Sequence, residues 1–145
     1  MIKNEKQYRI TKAQVRRFED ALADLAGQPR PLNISPRLWE AQRQAARSQL
    51  EELQAQVEAY ERLQSGRSRE VVLEAVEDLP KALIRARIAS GMTQVGLARR
   101  LGVKPQQVQR YEATEYESAS FGRIRKVVQA LGLRIPKAIR LVRGG

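Results

Sequence analysis

Apolar residues recur along this chain at helical steps of three and four, and no stretch shows the strict alternation of a strand. Thr11-Lys12-Ala13-Gln14 has the form of a capping box, with the threonine hydroxyl on the first free amides and Gln14 reaching back. Val15, Phe18, Leu22 and Leu25 then make one seam that Gly27, Pro29 and Pro31 end, so a first helix is predicted to start at Thr11. Residues 27–35 read as a connector. Ser35-Pro36 places a capping hydroxyl before a first-turn proline, and no breaker recurs until Ser65-Gly66. This predicts one long helix over 37–63, roughly 40 Å from end to end. Its seam, Trp39, Ala46, Leu50, Leu53, Val57 and Tyr60, keeps heptad-like spacing, with Gln42 and Arg43 as polar interruptions near the start.

Both helices run from basic to acidic, the first from Lys12, Arg16 and Arg17 to Glu19, Asp20 and Asp24, the second from Arg37, Arg43 and Arg47 to Glu51, Glu52, Glu58 and Glu61. Such gradients fit an antiparallel hairpin. The first helix has at most about two-thirds of the second's length, so the seam over 53–63 lacks a partner inside the hairpin. Residues 2–10, the second module or a second subunit would cover it. An apolar stripe left in water is itself an interaction site, which favours a homodimer through Leu50, Leu53, Val57 and Tyr60. The polar run 65–69 reads as a hinge, followed by a short helix through Val71, Val72, Leu73 and Val76.

The second half is predicted as four short helices. Asp78-Leu79-Pro80 has the form of a cap and first-turn proline, opening a helix with Leu83, Ile84, Ala86 and Ile88 that closes at Ser90-Gly91. Thr93 caps the next, which turns Leu97, Ala98 and Leu101 inward and stops at Gly102. Pro105 opens a third, with Val108 and Tyr111 facing inward and Gln106, Gln107, Gln109 and Arg110 outward. A fourth, over 121–131, carries Ile124, Val127, Val128 and Leu131 on a stripe and closes at Gly132. Two short helices about a tight glycine turn form the helix-turn-helix layout, in which the second lays its outer face in the major groove. Gln pairs bidentately with adenine and Arg with guanine, while Lys104 at the helix start reaches a base or a phosphate. A Gln-rich solvated surface would look the same in sequence.

Charge sharpens the division. The 145 residues, 42% of them apolar, hold enough to bury a core, and 27 Lys plus Arg against 16 Asp plus Glu give a net +11. Residues 1–78 carry 13 basic and 13 acidic side chains, residues 79–145 carry 14 and 3, so the excess sits wholly in the second half. One neutral module and one suited to a polyanion are implied, although a basic face kept for solubility gives the same count. Histidine and cysteine are absent, which excludes disulfides, zinc fingers, thiol nucleophiles and imidazole catalysis. No constellation of carboxylates, Lys, Ser or Tyr marks an enzyme site, and nothing asks for a cofactor or metal. No apolar run approaches the ~18 residues of a membrane span, so a cytoplasmic protein is the expectation.

Thr93-Gln94, Leu97-Ala98, Gly102-Val103, Gln106-Gln107-Val108 and Tyr111-Glu112 complete the picture. At this spacing the segment 79–135 resembles the Xre/Cro family of bacterial and phage repressors, whose pattern is T-Q-x-x-L-A-x-x-x-G before a recognition helix ending in an apolar or aromatic residue and Glu. The resemblance implies that Gln94 braces the recognition helix and touches a DNA phosphate. It implies that Lys104, Gln106, Gln107 and Arg110 face the groove, and that Arg87 and Glu112 form an ion pair from the first helix of the module to the end of the third. Two departures stand out. Gly96 replaces a good helix former at a cost of roughly 1 kcal/mol, which suggests close packing or a looser helix. The loop 114–118 carries Glu115 and Glu117 where relatives approach phosphate, which points to a protein contact or an ion pair with Arg123 or Arg125.

The expected architecture is all-α: a helical hairpin over 1–66 for dimerisation or partner binding, a linker with a short helix over 67–78, a lambda-repressor-like helix-turn-helix domain over 79–135, and a basic tail over 136–145. The tail, with Lys137, Arg140 and Arg143 among apolar residues, reads as a surface strand or helix, a DNA arm or a weak anionic-membrane contact. Double-stranded DNA is the expected partner, with repression by operator occupancy. The added helical region also resembles antitoxins of the HigA type, which neutralise a toxin protein and repress their own operon.

Overall fold

The computed structural model describes residues 1–67 and 69–135; the tail lies outside the described residues. Among these there are six α-helices and no strand: α1 Glu5–Ala26, α2 Pro36–Gln64, α3 Leu79–Ala89, α4 Gln94–Leu101, α5 Pro105–Ala113 and α6 Phe121–Ala130.

The first helix begins six residues before the predicted start. Asn4 caps it, its Oδ1 accepting from the Gln7 amide at 2.9 Å, while the Gln7 side chain accepts from the Lys3 amide at 2.8 Å. Thr11 is therefore inside the helix, buried, with its hydroxyl donating back to the Gln7 carbonyl at 2.9 Å. The same spacing of cap and glutamine occurs twice, and with no breaker between them the earlier one starts the helix. Ser35 caps α2 as expected, its Oγ accepting from the Leu38 amide at 3.2 Å ahead of first-turn Pro36.

The two helices pair antiparallel. Lys12 Nζ lies 3.5 Å from Glu61, and Gln54 Nε2 donates to Glu19 at 3.1 Å. The Tyr8 hydroxyl also donates to Glu61 at 2.5 Å, and this hydrogen bond, aided by Lys12, holds the Glu61 carboxyl below the usual range. These groups are exposed, so they set direction and register more than stability.

Six extra residues on α1 change how the seam is covered. Tyr8 tilts against Tyr60 with ring centroids 5.1 Å apart, and Tyr60 is buried together with Ile2, Leu83 and Ile84. Leu53 is buried too, while Leu50 and Val57 are half-buried. The Tyr60 end of the segment 53–63 is thus covered by the chain itself, through Ile2, Tyr8 and α3, and Leu53 is buried within the single chain. Further out, Val15, Phe18, Leu22, Leu25, Trp39 and Ala46 stay half-buried, because two helices alone cannot enclose the stripe between them.

The helix expected through residues 71–76 does not form. Residues 69–75 carry no helix, and a single 3-10 turn, Val76–Asp78, precedes α3, with Val72 and Val76 exposed. Paired β-branched residues lose side-chain freedom in a helix and weaken the case for one here. The Asp78 carboxylate accepts from the amides of Glu74 and Ala75, at 3.2 and 3.1 Å, so it closes the linker turn rather than capping α3.

Helices α3 to α6 enclose a core of Leu83, Ile84, Leu97, Val108 and Val127, each at most 1% exposed. Gly102, at φ +68°, makes the left-handed turn between α4 and α5 that any side chain would strain. Because Ile2 and Tyr60 join this core, hairpin and module should unfold together. Tyr60→Ala is expected to cost about 3–5 kcal/mol. Urea transitions followed by Trp39 fluorescence and by circular dichroism should coincide, and should shift together in the variant.

Candidate nucleic-acid interface

Recognition chemistry depends on how α5 is held. Val108, Tyr111 and Glu112 face inward on it, with Glu112 fully enclosed. Arg87 of α3, 3% exposed, grips that carboxylate with two bonds, Nε to Oε1 at 2.5 Å and Nη2 to Oε2 at 2.9 Å. Its remaining N–H groups donate to the carbonyls of Met92 at 2.8 Å and Lys3 at 2.5 Å. Gln94, the first residue of α4, donates to Glu112 Oε2 at 2.7 Å, so one carboxylate ties α3, α4 and α5 together. The structure brings Arg87, Gln94 and Glu112 into one cluster.

The amino terminus completes it, which the sequence did not disclose. Lys3 Nζ donates to the Glu112 carbonyl at 2.7 Å, and Asn4 Nδ2 donates to Gln94 Oε1 at 3.3 Å. Gln94 is consequently 8% exposed and engaged at both ends of its amide. The signal that could have found this contact is the Asn4–Gln7 cap, which brings Lys3 and Asn4 to the start of a helix.

On the outer face, Lys104, Gln106, Gln109 and Arg110 are exposed and Gln107 is half-buried. Lys104 stands at the cap position of α5, exposed, and its ammonium makes no hydrogen bond or ion pair among the described residues. These residues lie on a helix only nine residues long whose opposite face is fully packed. Leu50 and Leu53 lie on the hairpin seam, while Val57 and Tyr60 pack into the core that also holds Val108 and Tyr111 behind the outer face of α5.

Both sequence departures have a local explanation. A Cβ on Gly96 would come within 3.2 Å of Thr93 Oγ1 and 3.3 Å of Met92 Cγ, so the glycine permits close packing where Thr93 Oγ1 accepts the Gly96 amide at 2.9 Å. In the loop after α5, Glu115 and Tyr116 both adopt left-handed backbone, φ 50° and 61°, at roughly 1–2 kcal/mol each. The return is a buried Tyr116 whose ring stacks on Tyr111 at 6.0 Å, its amide donating to the Tyr111 carbonyl. Burial pushes the Tyr116 hydroxyl well above its ordinary pKa. Glu115 meets Lys81 at 4.0 Å rather than Arg123 or Arg125, and Arg123 Nη1 is buried without a hydrogen-bond partner among the described residues.

Glu112→Gln removes the charge opposing a buried guanidinium, and a loss of about 3 kcal/mol in urea unfolding is expected. An apolar pair, Arg87→Met with Glu112→Leu, should recover much of it. Recovery of stability without recovery of DNA binding would show that the ion pair sets orientation.

No helix among the described residues is long and apolar enough to cross a membrane. No curated protein and no solved structure matches the chain. Residues 83–137 match the model of the helix-turn-helix family, whose members are DNA-binding regulators and generally not enzymes. The match supports a DNA-binding transcriptional regulator. The carboxyl-terminal part of this chain, whose described residues form helices and no strand, is a helix-turn-helix domain.

Proposed function

We propose that this protein is a transcriptional repressor that reads operator DNA with α5. The observation that carries the reading is the clamp on Glu112: it fixes a short helix from behind and leaves Lys104, Gln106 and Arg110 exposed on its front. In the helix-turn-helix geometry α5 enters the major groove and α4 crosses the phosphate backbone. Gln106, Gln107 and Arg110 supply discrimination, Lys104 reaches a base or phosphate, and the Lys and Arg excess supplies most of the affinity. Gln94 keeps its brace on Glu112. A phosphate contact would come from the Nε2 hydrogen not given to Glu112, because the amide oxygen is an acceptor, as phosphate is, and takes the bond from Asn4 at 3.3 Å.

Two copies on two half-sites would occlude the promoter and block polymerase in the cytoplasm. With Leu53 and Tyr60 buried inside one chain, those copies would meet through other residues. The antitoxin role came from the resemblance of the added helical region to HigA-type antitoxins, with an unpaired seam through Tyr60 in its favour. That residue is part of the core, so repression is the reading we favour.

Genomic fragments captured by the purified protein at about 0.15 M salt should yield one enriched inverted repeat. Uniform enrichment that collapses as salt rises would overturn sequence reading, and a small basic protein co-purifying in fixed ratio would restore the antitoxin role. On the enriched site Arg110→Ala should cost about 1–3 kcal/mol and relax one base position. An equal loss on every sequence would reassign Arg110 to phosphate.

A further inference from the structure

We propose that the DNA-contacting surface continues from the helix-turn-helix domain onto the first two turns of α1, where Lys6 and Arg9 contact backbone phosphates. The inference rests on the DNA reading above and adds to it a part of the chain that the charge count had made neutral. Its first support is placement. Asn4, the cap of α1, donates to Gln94 at the start of α4, the helix that crosses the backbone in this docking geometry. Helix α1 therefore begins beside the path of the DNA strand. Lys6 and Arg9 lie only about 3 and 8 Å further along its axis.

The second support is charge. Among the first 17 residues stand six cations and one carboxylate, Glu5. Glu5 accepts from Gln64 Nε2 at 3.5 Å and so turns toward α2, while Lys12 is engaged by Tyr8 and Glu61. Lys6 and Arg9 are exposed and make no ion pair or side-chain hydrogen bond within the described residues. By helical spacing they share an outer face with Ala13, Arg16 and Arg17, away from the seam of Tyr8, Val15 and Phe18. The amino end of a 22-residue helix adds its own positive potential there.

The third support is rigidity. Ile2 is buried in the shared core, Arg87 donates to the Lys3 carbonyl and Lys3 donates to the Glu112 carbonyl. The start of α1 is thereby fixed to the recognition helix itself. Its cations are held in place relative to α5.

The test uses the full chain and a mixed-sequence duplex of about 30 base pairs, titrated by fluorescence anisotropy from about 50 to 200 mM salt. For K6Q/R9Q the slope of log K against log salt should shrink by nearly 2, with binding roughly tenfold or more weaker at the low-salt end. Unchanged circular dichroism melting confirms that the fold is intact. R37Q/R47Q, which removes the same charge from exposed positions toward the far part of the hairpin, should keep most of the slope. An unchanged slope in K6Q/R9Q, or an equal loss in R37Q/R47Q, overturns the inference. If K104Q/R110Q weakens binding while K6Q/R9Q does not, α1 is excluded and the recognition helix stands. If the unmodified protein binds no duplex, both readings fall.

Discussion

A guanidinium and a carboxylate sealed inside a small helical module are the constraint on which the rest of this structure depends. Removing each ion from water costs several kcal/mol, and an apolar pair would fill the space more cheaply. The pair persists without an orphaned group because Arg87 also meets two backbone carbonyls and Glu112 also meets Gln94. Its value is geometric. A fork-on-fork contact between Arg87 and Glu112 admits a narrow range of angles between α3 and α5, and Gln94 adds α4 to the same constraint. A helix that reads base edges needs that fixity more than it needs the last kcal/mol of stability.

The parts of the fold that follow local rules were legible in the sequence. Ser35-Pro36, Thr93, Gly102 and Pro105 punctuate the chain where their chemistry says they should, and the antiparallel hairpin followed from opposed charge gradients. Competition between equal local signals was not legible. Asn4–Gln7 and Thr11–Gln14 have the same form, and only helix continuity decides that the first one starts α1. That single ambiguity shortened the helix by six residues and left open whether residues 2–10, the module or a second subunit covers the seam. The linker failed for another reason: Val71 and Val72 fit a helix by periodicity, but their β-branched side chains disfavour one.

The candidate site divides along the same line. The outward residues of α5 and the inward pair Arg87 and Glu112 could be placed from motif spacing, since they lie within one contiguous pattern of the domain. Lys3 and Asn4 could not. They reach Glu112 and Gln94 from about 90 to 110 positions away, and no periodicity reports a contact of that kind. The left-handed backbone at Glu115 and Tyr116 was equally hidden, because neither residue type announces it.

Counting charges by halves of the chain concealed a further feature. Residues 1–78 are neutral in sum, yet six of their 13 cations stand within the first 17 residues beside a single carboxylate, while other carboxylates concentrate at the end of α1 and over the later part of α2. Tethered loosely, such a cluster would add only a diffuse attraction, since each contact would pay for ordering its own segment. Here the ordering is met during folding, by Ile2 in the core and by the bonds of Lys3 and Asn4 to the module. A basic helix fixed in this way presents its charges at one distance and angle from α5. The buried contacts that hold the hairpin to the module therefore also fix where these charges stand relative to α5.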